Sequence, residues 1–137
     1  MINLGDGAAA TKTITAQEVD CFCELSGDRN PIHLDEDFAR KSQFGRRIVP
    51  GLLVGSYISA LLANDLPGPG TIYLRQTLEF LAPVFIGDTL TTSVTVVEIP
   101  KPGKAVLVTQ CQNQGGILVL QGSALVKLPW GENDEQN

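Results

Sequence analysis

The chain has few of the residues that carry most protein chemistry. Its 137 residues include one histidine, His33, and three cysteines. Cys21 and Cys23 are too close for the usual zinc-ligand spacing, and the odd number of cysteines argues against a disulfide framework. We therefore predict a reducing compartment, the cytoplasm or alternatively an organelle lumen, and no metal site.

Basic clusters and long apolar runs are also missing. The net charge is −5, and the short GRR sequence at Gly45–Arg47 offers too few cations to bind nucleic acid. The longest apolar stretch, Gly51–Ala63, is shorter than the ~20 residues of a membrane span. The opening residues MINLGDGAAATK lack the basic start and apolar run of a signal peptide. These absences predict that neither nucleic acid nor a membrane is a partner.

The first half of the chain carries helix signals. Thr15–Glu18 has the spacing of a capping box, and Gly27 is placed to end the helix that follows it. Asp35 is placed to cap a short helix over residues 35–42. After Pro50, an apolar stretch predicts a helix from about residue 52 to 64. Nearly every side of this helix is apolar or small, which is typical of a helix surrounded by protein.

The second half is rich in β-branched residues and predicts strands. Turn sequences separate four such segments, at residues 71–85, 89–99, 104–114 and 116–128. In the second segment, Leu90, Thr92, Val94 and Val96 fall on one face because side chains alternate along a strand.

An antiparallel sheet curled around the apolar helix accommodates both halves, which is the α+β hotdog arrangement. We predict a single domain, residues 1–137, with 1–10 and 130–137 flexible. Such an open sheet leaves an edge strand that a second copy can cover, so we expect a homodimer.

A polar stretch, GDRNPIHLDEDFA, surrounds the lone histidine. Asp28 and His33 lie five residues apart across a turn that Pro31 stiffens, and they form a minimal acid–base pair. Asn30 lies between them and can orient either group through its side-chain amide. The alternative is that His33 is a surface residue and Asp28 a turn residue. Asp35, also close to His33, is better explained as a helix cap.

The pair has no nucleophile of its own. Ser26 lies nearby, but the chain contains no G-x-S-x-G elbow. Acid–base groups without a nucleophile indicate proton transfer with water, which means hydration, dehydration or hydrolysis. Gly51, at the first turn of the apolar helix, can present a free amide to a developing oxyanion. The alternative is that Gly51 only permits a sharp turn.

These residues carry a family resemblance. The stretch GDRNPIHLDEDFARKSQFGRRIVPGLLVGSYIS, followed by PGPGTIYLRQTLEFLAPVFIGDTL, resembles the R-specific enoyl-CoA hydratases of the MaoC-like hotdog family. The likeness runs from about Thr13 to Pro129. Its most specific element is D-x-N-P-x-H, whereas the P-x-x-x-G-D-x-L turn is common to many hotdog proteins. Many relatives have histidine where Pro50 stands, and this departure leaves His33 as the only imidazole.

The resemblance implies a reaction and a site. Members of this family add water to trans-2-enoyl-CoA and form (R)-3-hydroxyacyl-CoA, a reaction used in polyester precursor supply and in fatty-acid oxidation. It implies that Asp28 and His33 are the catalytic pair and that the Gly51 amide binds the thioester carbonyl. It also places Ser59 near the acyl chain. We count Gly51, Ser59 and Asn30 as the expected substrate-binding residues.

We expect no cofactor, since CoA is part of the substrate. Within the pair, His33 is the preferred base and Asp28 the preferred acid, although the sequence leaves this division open. Three alternatives remain: a hotdog acyl-CoA thioesterase, a 3-hydroxyacyl dehydratase acting on acyl carrier protein, and a non-catalytic acyl-binding module.

Overall fold

This computed structural model describes residues 2–130, in which one strand is followed by four helices and then by five strands. In chain order the elements are β1 (Gly7–Thr13), α1 (Ala16–Ser26), α2 (Pro31–Leu34), α3 (Glu36–Arg40), α4 (Gly51–Asn64), β2 (Ile72–Gln76), β3 (Glu79–Phe80), β4 (Thr89–Lys101), β5 (Lys104–Gln112) and β6 (Leu118–Lys127). None of the helices in this part of the chain has both the length and the apolar character needed to cross a membrane.

One antiparallel sheet contains all the strands. Its order is β1-β4-β5-β6-β2, and β3 pairs with β6 beside β2. Helix α4 packs against β1, β4 and β5. A long helix on an antiparallel sheet is the predicted hotdog arrangement, so the predicted α+β class is confirmed.

The core lies between α4 and the sheet. On β4, Leu90, Thr92, Val94 and Val96 are all buried, which confirms the face predicted from their alternation. The neighbouring strands contribute their own alternating residues to the same layer. From α4 the buried side chains are Leu53, Val54, Ile58, Leu61 and Leu62.

The prediction that α4 is surrounded by protein is wrong for one face of the helix. Leu52 is 65% exposed, and Ser56 and Ala60 are exposed one and two turns further along. Residues four apart share a face of a helix, so these positions form a single stripe. The stripe is exposed because the single-layered sheet covers only the opposite side of the helix.

The strand expected at residues 71–85 is interrupted, and Gly122 explains where. β2 ends at Gln76 and β3 begins at Glu79. Between them the Thr77 carbonyl oxygen lies 1.7 Å from the position that a Cβ on Gly122 would occupy. Thr77 also donates its N–H to the Ser123 carbonyl at 2.9 Å. The chain therefore passes β6 closely at a residue without a side chain, and β3 continues in the register of the end of β2.

The two ends of the described chain contain structure that the sequence did not predict, although their flexibility itself stays untested. We predicted that residues 1–10 are flexible, but β1 begins at Gly7 and pairs with β4. The sequence GAAATKT has no strong strand propensity, and its pairing depends on the adjacent β4 edge. At the other end, Trp130 packs against the core. Residues 131–137, also expected to be flexible, lie outside the described residues, and the single-domain boundary stays a prediction.

The predicted helix caps are present. Thr15 Oγ1 accepts the Glu18 N–H at 3.2 Å, and α1 ends at Gly27, whose φ of 82° is left-handed. Asp35 Oδ1 accepts the N–H groups of Asp37 and Phe38 at 2.9 and 3.1 Å. A hydrogen bond from Lys12 holds the pKa of the Glu18 carboxyl below its ordinary value. The helical segments around the polar stretch are thus closed by local bonds that the sequence shows directly.

The close approach at Gly122 predicts an unusual sensitivity to a single methyl group. Gly122→Ala places a Cβ against the Thr77 backbone, which cannot move without breaking the β6 pairing, so we expect a loss of roughly 3 kcal/mol or more in unfolding free energy. Gly115→Ala is the control, because its Cβ meets only the Asn113 side chain at 3.4 Å. Urea denaturation of both variants checks the prediction, and equal stability of the two would contradict it.

Candidate active site

The polar stretch folds as a tight loop and a one-turn helix. After Gly27 ends α1, the chain reverses and enters α2 with Pro31 at the first helical position. Proline suits this position because it has no N–H to leave unpaired. The Asn30 side-chain oxygen accepts the Ile32 N–H at 3.2 Å and so caps α2. The loop brings the side chains of Asp28 and His33 together.

The two oxygens of Asp28 face different partners. Oδ1 accepts the Asn30 backbone N–H at 3.0 Å, which fixes the carboxylate within the loop. Oδ2 lies 3.8 Å from Nε2 of His33. The Asp28 side chain is 35% exposed, whereas that of His33 is only 11% exposed. One oxygen therefore has a structural role, and the other is free to act toward the histidine.

A backbone carbonyl sets the orientation of the His33 ring. Nδ1 lies 2.8 Å from the carbonyl oxygen of Ile48, which can only accept a hydrogen bond. The proton of a neutral imidazole is therefore held on Nδ1, and Nε2 carries the lone pair. Since 3.8 Å is too long for a direct hydrogen bond, the gap between Nε2 and Asp28 Oδ2 suits a water that is hydrogen-bonded to both atoms.

Gly51 begins α4 beside this pair. The Pro50 carbonyl accepts the N–H groups of Leu53 and Val54, at 3.1 and 3.3 Å. Among the bonds formed within residues 2–130, the amides of Gly51 and Leu52 have no protein acceptor. They lie at the positive end of a 14-residue helix, where a developing negative charge is stabilised.

Gly51 also has a steric role. A Cβ on this residue would lie 2.6 Å from the ring of Phe80, so glycine is the residue that lets the ring pack here. Phe80 belongs to β3, and it pairs with Leu120 of β6. The ring covers one side of the exposed helix terminus.

A cavity of about 750 Å³ connects these groups. Asp28, His33 and Gly51 all line it, and Ser26 is the one other residue with a polar side chain in the described wall. The remaining wall is apolar or glycine and includes Phe22, Phe44, Ile48, Val54, Phe80 and Leu120. A few polar groups in an apolar cleft are the usual composition of a small-molecule site.

The structure does not bring every expected residue to this cavity. Asn30 caps α2 through its side chain and is exposed, and Ser59 lies eight residues along α4 from Gly51, about 12 Å at the helical rise. Neither lines the cavity. A substrate contact by either residue stays a prediction, as do the catalytic roles of Asp28 and His33.

Two contributors to the site were missed at the sequence level. The Ile48 carbonyl is a backbone group that every residue type has, so the sequence does not indicate its contact with His33. Phe80 is placed beside Gly51 by β3, which follows the break after β2 and pairs with β6. The glycine in the LQGSALVKL sequence around Gly122 is the signal that could have predicted that break.

Nucleophilic catalysis has little support here. Burial raises the pKa of the Cys23 thiol, and the negative charge of Asp28 acts in the same direction, so the thiol stays protonated. Ser26 Oγ accepts the Asp28 N–H at 3.2 Å. Within residues 2–130 there is no group of three or more His, Cys, Asp or Glu placed to hold a metal ion.

Comparison with known proteins places this site in a family. The family model of the MaoC-like domain matches residues 6–114. The chain is 50% identical over 119 residues to 3-hydroxybutyryl-CoA dehydratase of Methylorubrum extorquens, covering 86% of this chain and 75% of that protein. It is 45% identical to the (R)-specific enoyl-CoA hydratase of Aeromonas caviae, covering 93% and 96% of the two chains.

The fold agrees with the sequence match. The solved structure of the A. caviae (R)-hydratase involved in PHA biosynthesis superposes with a TM-score of 0.91 over 93% of this chain and 98% of that chain. The matched region contains both β4 and the loop of Asp28 and His33. The chain therefore belongs to the MaoC-like domain family.

Proposed function

We propose that this protein is a hydro-lyase that adds water to trans-2-enoyl-CoA and forms (R)-3-hydroxyacyl-CoA. The observation that carries the proposal is the pair of Nε2 of His33 and Oδ2 of Asp28, 3.8 Å apart in the wall of an apolar cavity that Gly51 also lines. The hydratase and dehydratase names of the matched relatives support the reaction class. The R configuration rests on the A. caviae relative.

The N-terminus of α4 binds the thioester group of the substrate. The thioester carbonyl oxygen accepts the Gly51 N–H, and the acyl chain occupies the apolar part of the cavity. As water adds, charge accumulates on this oxygen in an enolate-like state, where the free amide stabilises it more than in the ground state. A single donor of this kind accounts for on the order of 10²–10³ in rate. No separate cofactor takes part, because CoA belongs to the substrate.

The Asp28–His33 pair accepts one proton from the water and donates another to the substrate. With one proton shared by the pair, His33 Nε2 accepts a proton from the water as its oxygen bonds to C3, and Asp28 gives its proton to C2. The product has gained one water, and the pair has exchanged which group carries the proton. A proton transfer from His33 back to Asp28, through the next water, restores the starting state. General acid–base help of this kind contributes ~10²–10⁴-fold.

The assay that tests the function separates it from its alternatives. With crotonyl-CoA we expect the enoyl absorbance to fall without release of free thiol, and chiral analysis to give the R product. Thiol release would instead identify a thioesterase, and binding without turnover would identify an acyl-binding module. A much higher kcat/KM on the acyl carrier protein thioester than on the CoA thioester would show that acyl carrier protein, and not CoA, carries the substrate.

Asp28→Asn tests the catalytic pair. The amide keeps the size of the side chain but cannot give or accept the proton, so we expect kcat to fall by ~10²–10⁴-fold. Asp35→Asn is the matched control in the same stretch. Asn also caps helices, so we expect this variant to keep both its fold and its activity. Circular dichroism checks the fold of both variants, and near-normal turnover by Asp28→Asn would rule out the proposed pair.

We propose that the open β2 edge pairs with a second copy of the chain. All three apolar residues Ile72, Tyr73 and Leu74 are exposed, at 53%, 39% and 45%. The opposite edge, β1, carries small residues, threonines and Lys12, which suit contact with water. An exposed apolar edge strand is a surface that proteins normally cover. Leu52 and Phe80, at 65% and 55% exposure, extend the apolar character beyond β2.

Leu74→Glu tests this dimer. A charge on the apolar edge strand opposes its burial, so we expect the mass measured by light scattering to fall from dimer toward monomer. Leu25→Glu is the control, because Leu25 on α1 is 88% exposed and lies on another surface. The proposal fails if the wild-type protein is a monomer, or if Leu74→Glu and Leu25→Glu leave the mass equally unchanged.

A further inference from the structure

Arg47 contacts residues of three helices, and one of those residues is His33. Its Nε donates to the His33 carbonyl at 2.6 Å, and one terminal nitrogen contacts Asp20 of α1 at 2.6 Å. The other terminal nitrogen lies 3.5 Å from Glu36 of α3. The Arg47 side chain is only 8% exposed, whereas the two carboxylates are 57% and 69% exposed. A buried guanidinium thus connects α1, α2 and α3.

Ile48, the residue after Arg47, contacts the ring of the same histidine. The Ile48 N–H donates to the Ile32 carbonyl at 3.2 Å, and the Ile48 carbonyl accepts from His33 Nδ1 at 2.8 Å. Arg47 and Ile48 therefore contact both the backbone and the ring of His33. Three residues after Ile48, Gly51 begins α4 with its free amide. One short segment thus sets the distance between the candidate base and the candidate oxyanion donor.

The charge of Arg47 is not directed at the substrate. Arg47 does not line the cavity, and two carboxylates face its guanidinium. A desolvated cation is tolerated only where partners satisfy its N–H groups. The remaining role that its contacts support is geometric, since the planar fork donates in three directions at once.

We propose that Arg47 is a positioning residue that holds His33 in register with Gly51 and keeps the lone pair on Nε2. The catalytic consequence rests on the proposed hydration. Loss of the Arg47 bond frees the His33 carbonyl and the α2 turn, so the ring moves relative to the carbonyl oxygen that Gly51 binds. Substrate affinity depends on the apolar cavity and on Gly51, which Arg47 does not touch.

The kinetic test compares Arg47→Met and Arg47→Lys with the wild type. We expect Arg47→Met to lower kcat about 10- to 100-fold with little change in KM, because a misplacement of about 1 Å costs on the order of 10²-fold in rate. Lysine restores the charge but has a single terminal nitrogen, so it cannot reach His33, Asp20 and Glu36 together. We expect Arg47→Lys to recover stability more than kcat.

Two control variants separate positioning from general destabilisation. Val126→Ala removes buried volume from β6 away from the cavity, so it lowers the melting temperature and keeps kcat. Arg40→Met removes an exposed cation that pairs with Asp37 and leaves both properties unchanged. If Arg47→Met does not fold, Asp20→Asn replaces it, because this change removes only one anchor of the guanidinium and predicts a smaller loss of kcat.

A second readout does not depend on activity. Since His33 is the only histidine, the two ring nitrogen signals of ¹⁵N-histidine-labelled protein report its tautomer without ambiguity. We expect the neutral ring of the wild type to be protonated on Nδ1, and that of Arg47→Met to populate the Nε2–H form as well. If the wild type fails to hydrate any enoyl thioester, the proposed function fails, whereas this spectral comparison still tests Arg47.

Several outcomes would overturn the proposal. One is a folded Arg47→Met with wild-type kcat and an unchanged ring tautomer. Another is full recovery of kcat by Arg47→Lys, which would reduce the role of Arg47 to its charge. An equal loss of kcat in Val126→Ala at the same melting temperature would show that destabilisation alone explains the effect.

Discussion

The hydrogen bond from His33 Nδ1 to the Ile48 carbonyl is the interaction on which the rest of the site depends. A carbonyl oxygen cannot donate, so this bond selects one tautomer and points the lone pair of Nε2 at Asp28. Without it the ring can rotate or carry its proton on Nε2. The Nε2 lone pair would then no longer face Asp28 Oδ2 across the 3.8 Å gap. A neutral backbone group achieves this without another titratable side chain beside the pair.

The sheet completes the site from the opposite side. The close approach of Thr77 to Gly122 separates β2 from β3, and β3 continues in the same register along β6 and places Phe80 beside Gly51. The Phe80 ring packs where a Cβ at residue 51 would clash, so this strand residue and the first residue of α4 constrain one another.

The parts of the site that were predictable from the sequence are local. Asp28, His33 and the caps at Thr15 and Asp35 lie within one turn or loop of their partners, so residue type and spacing describe them. The parts that were not predictable are contacts between distant segments. Arg47 reaches Asp20 across 27 positions, and β1 becomes a strand only by pairing with β4. Nothing in GRR or GAAATKT encodes those partners, because they depend on the assembled fold.

The spacing along Arg47–Gly51 bears on which reaction the site favours. An enoyl thioester has two electrophilic carbons, C1 and C3, two bonds apart, and a hydrogen bond to the carbonyl oxygen activates both of them. The same water attacking C1 leads to hydrolysis, and attacking C3 leads to hydration. If Gly51 binds the carbonyl oxygen as we propose, hydration requires that a water held by His33 and Asp28 reach C3 and not C1. Because one five-residue segment carries the Ile48 carbonyl and the Gly51 amide, the proposed roles make the choice between the two reactions depend on backbone geometry, whereas the proposed acid–base pair would serve either reaction.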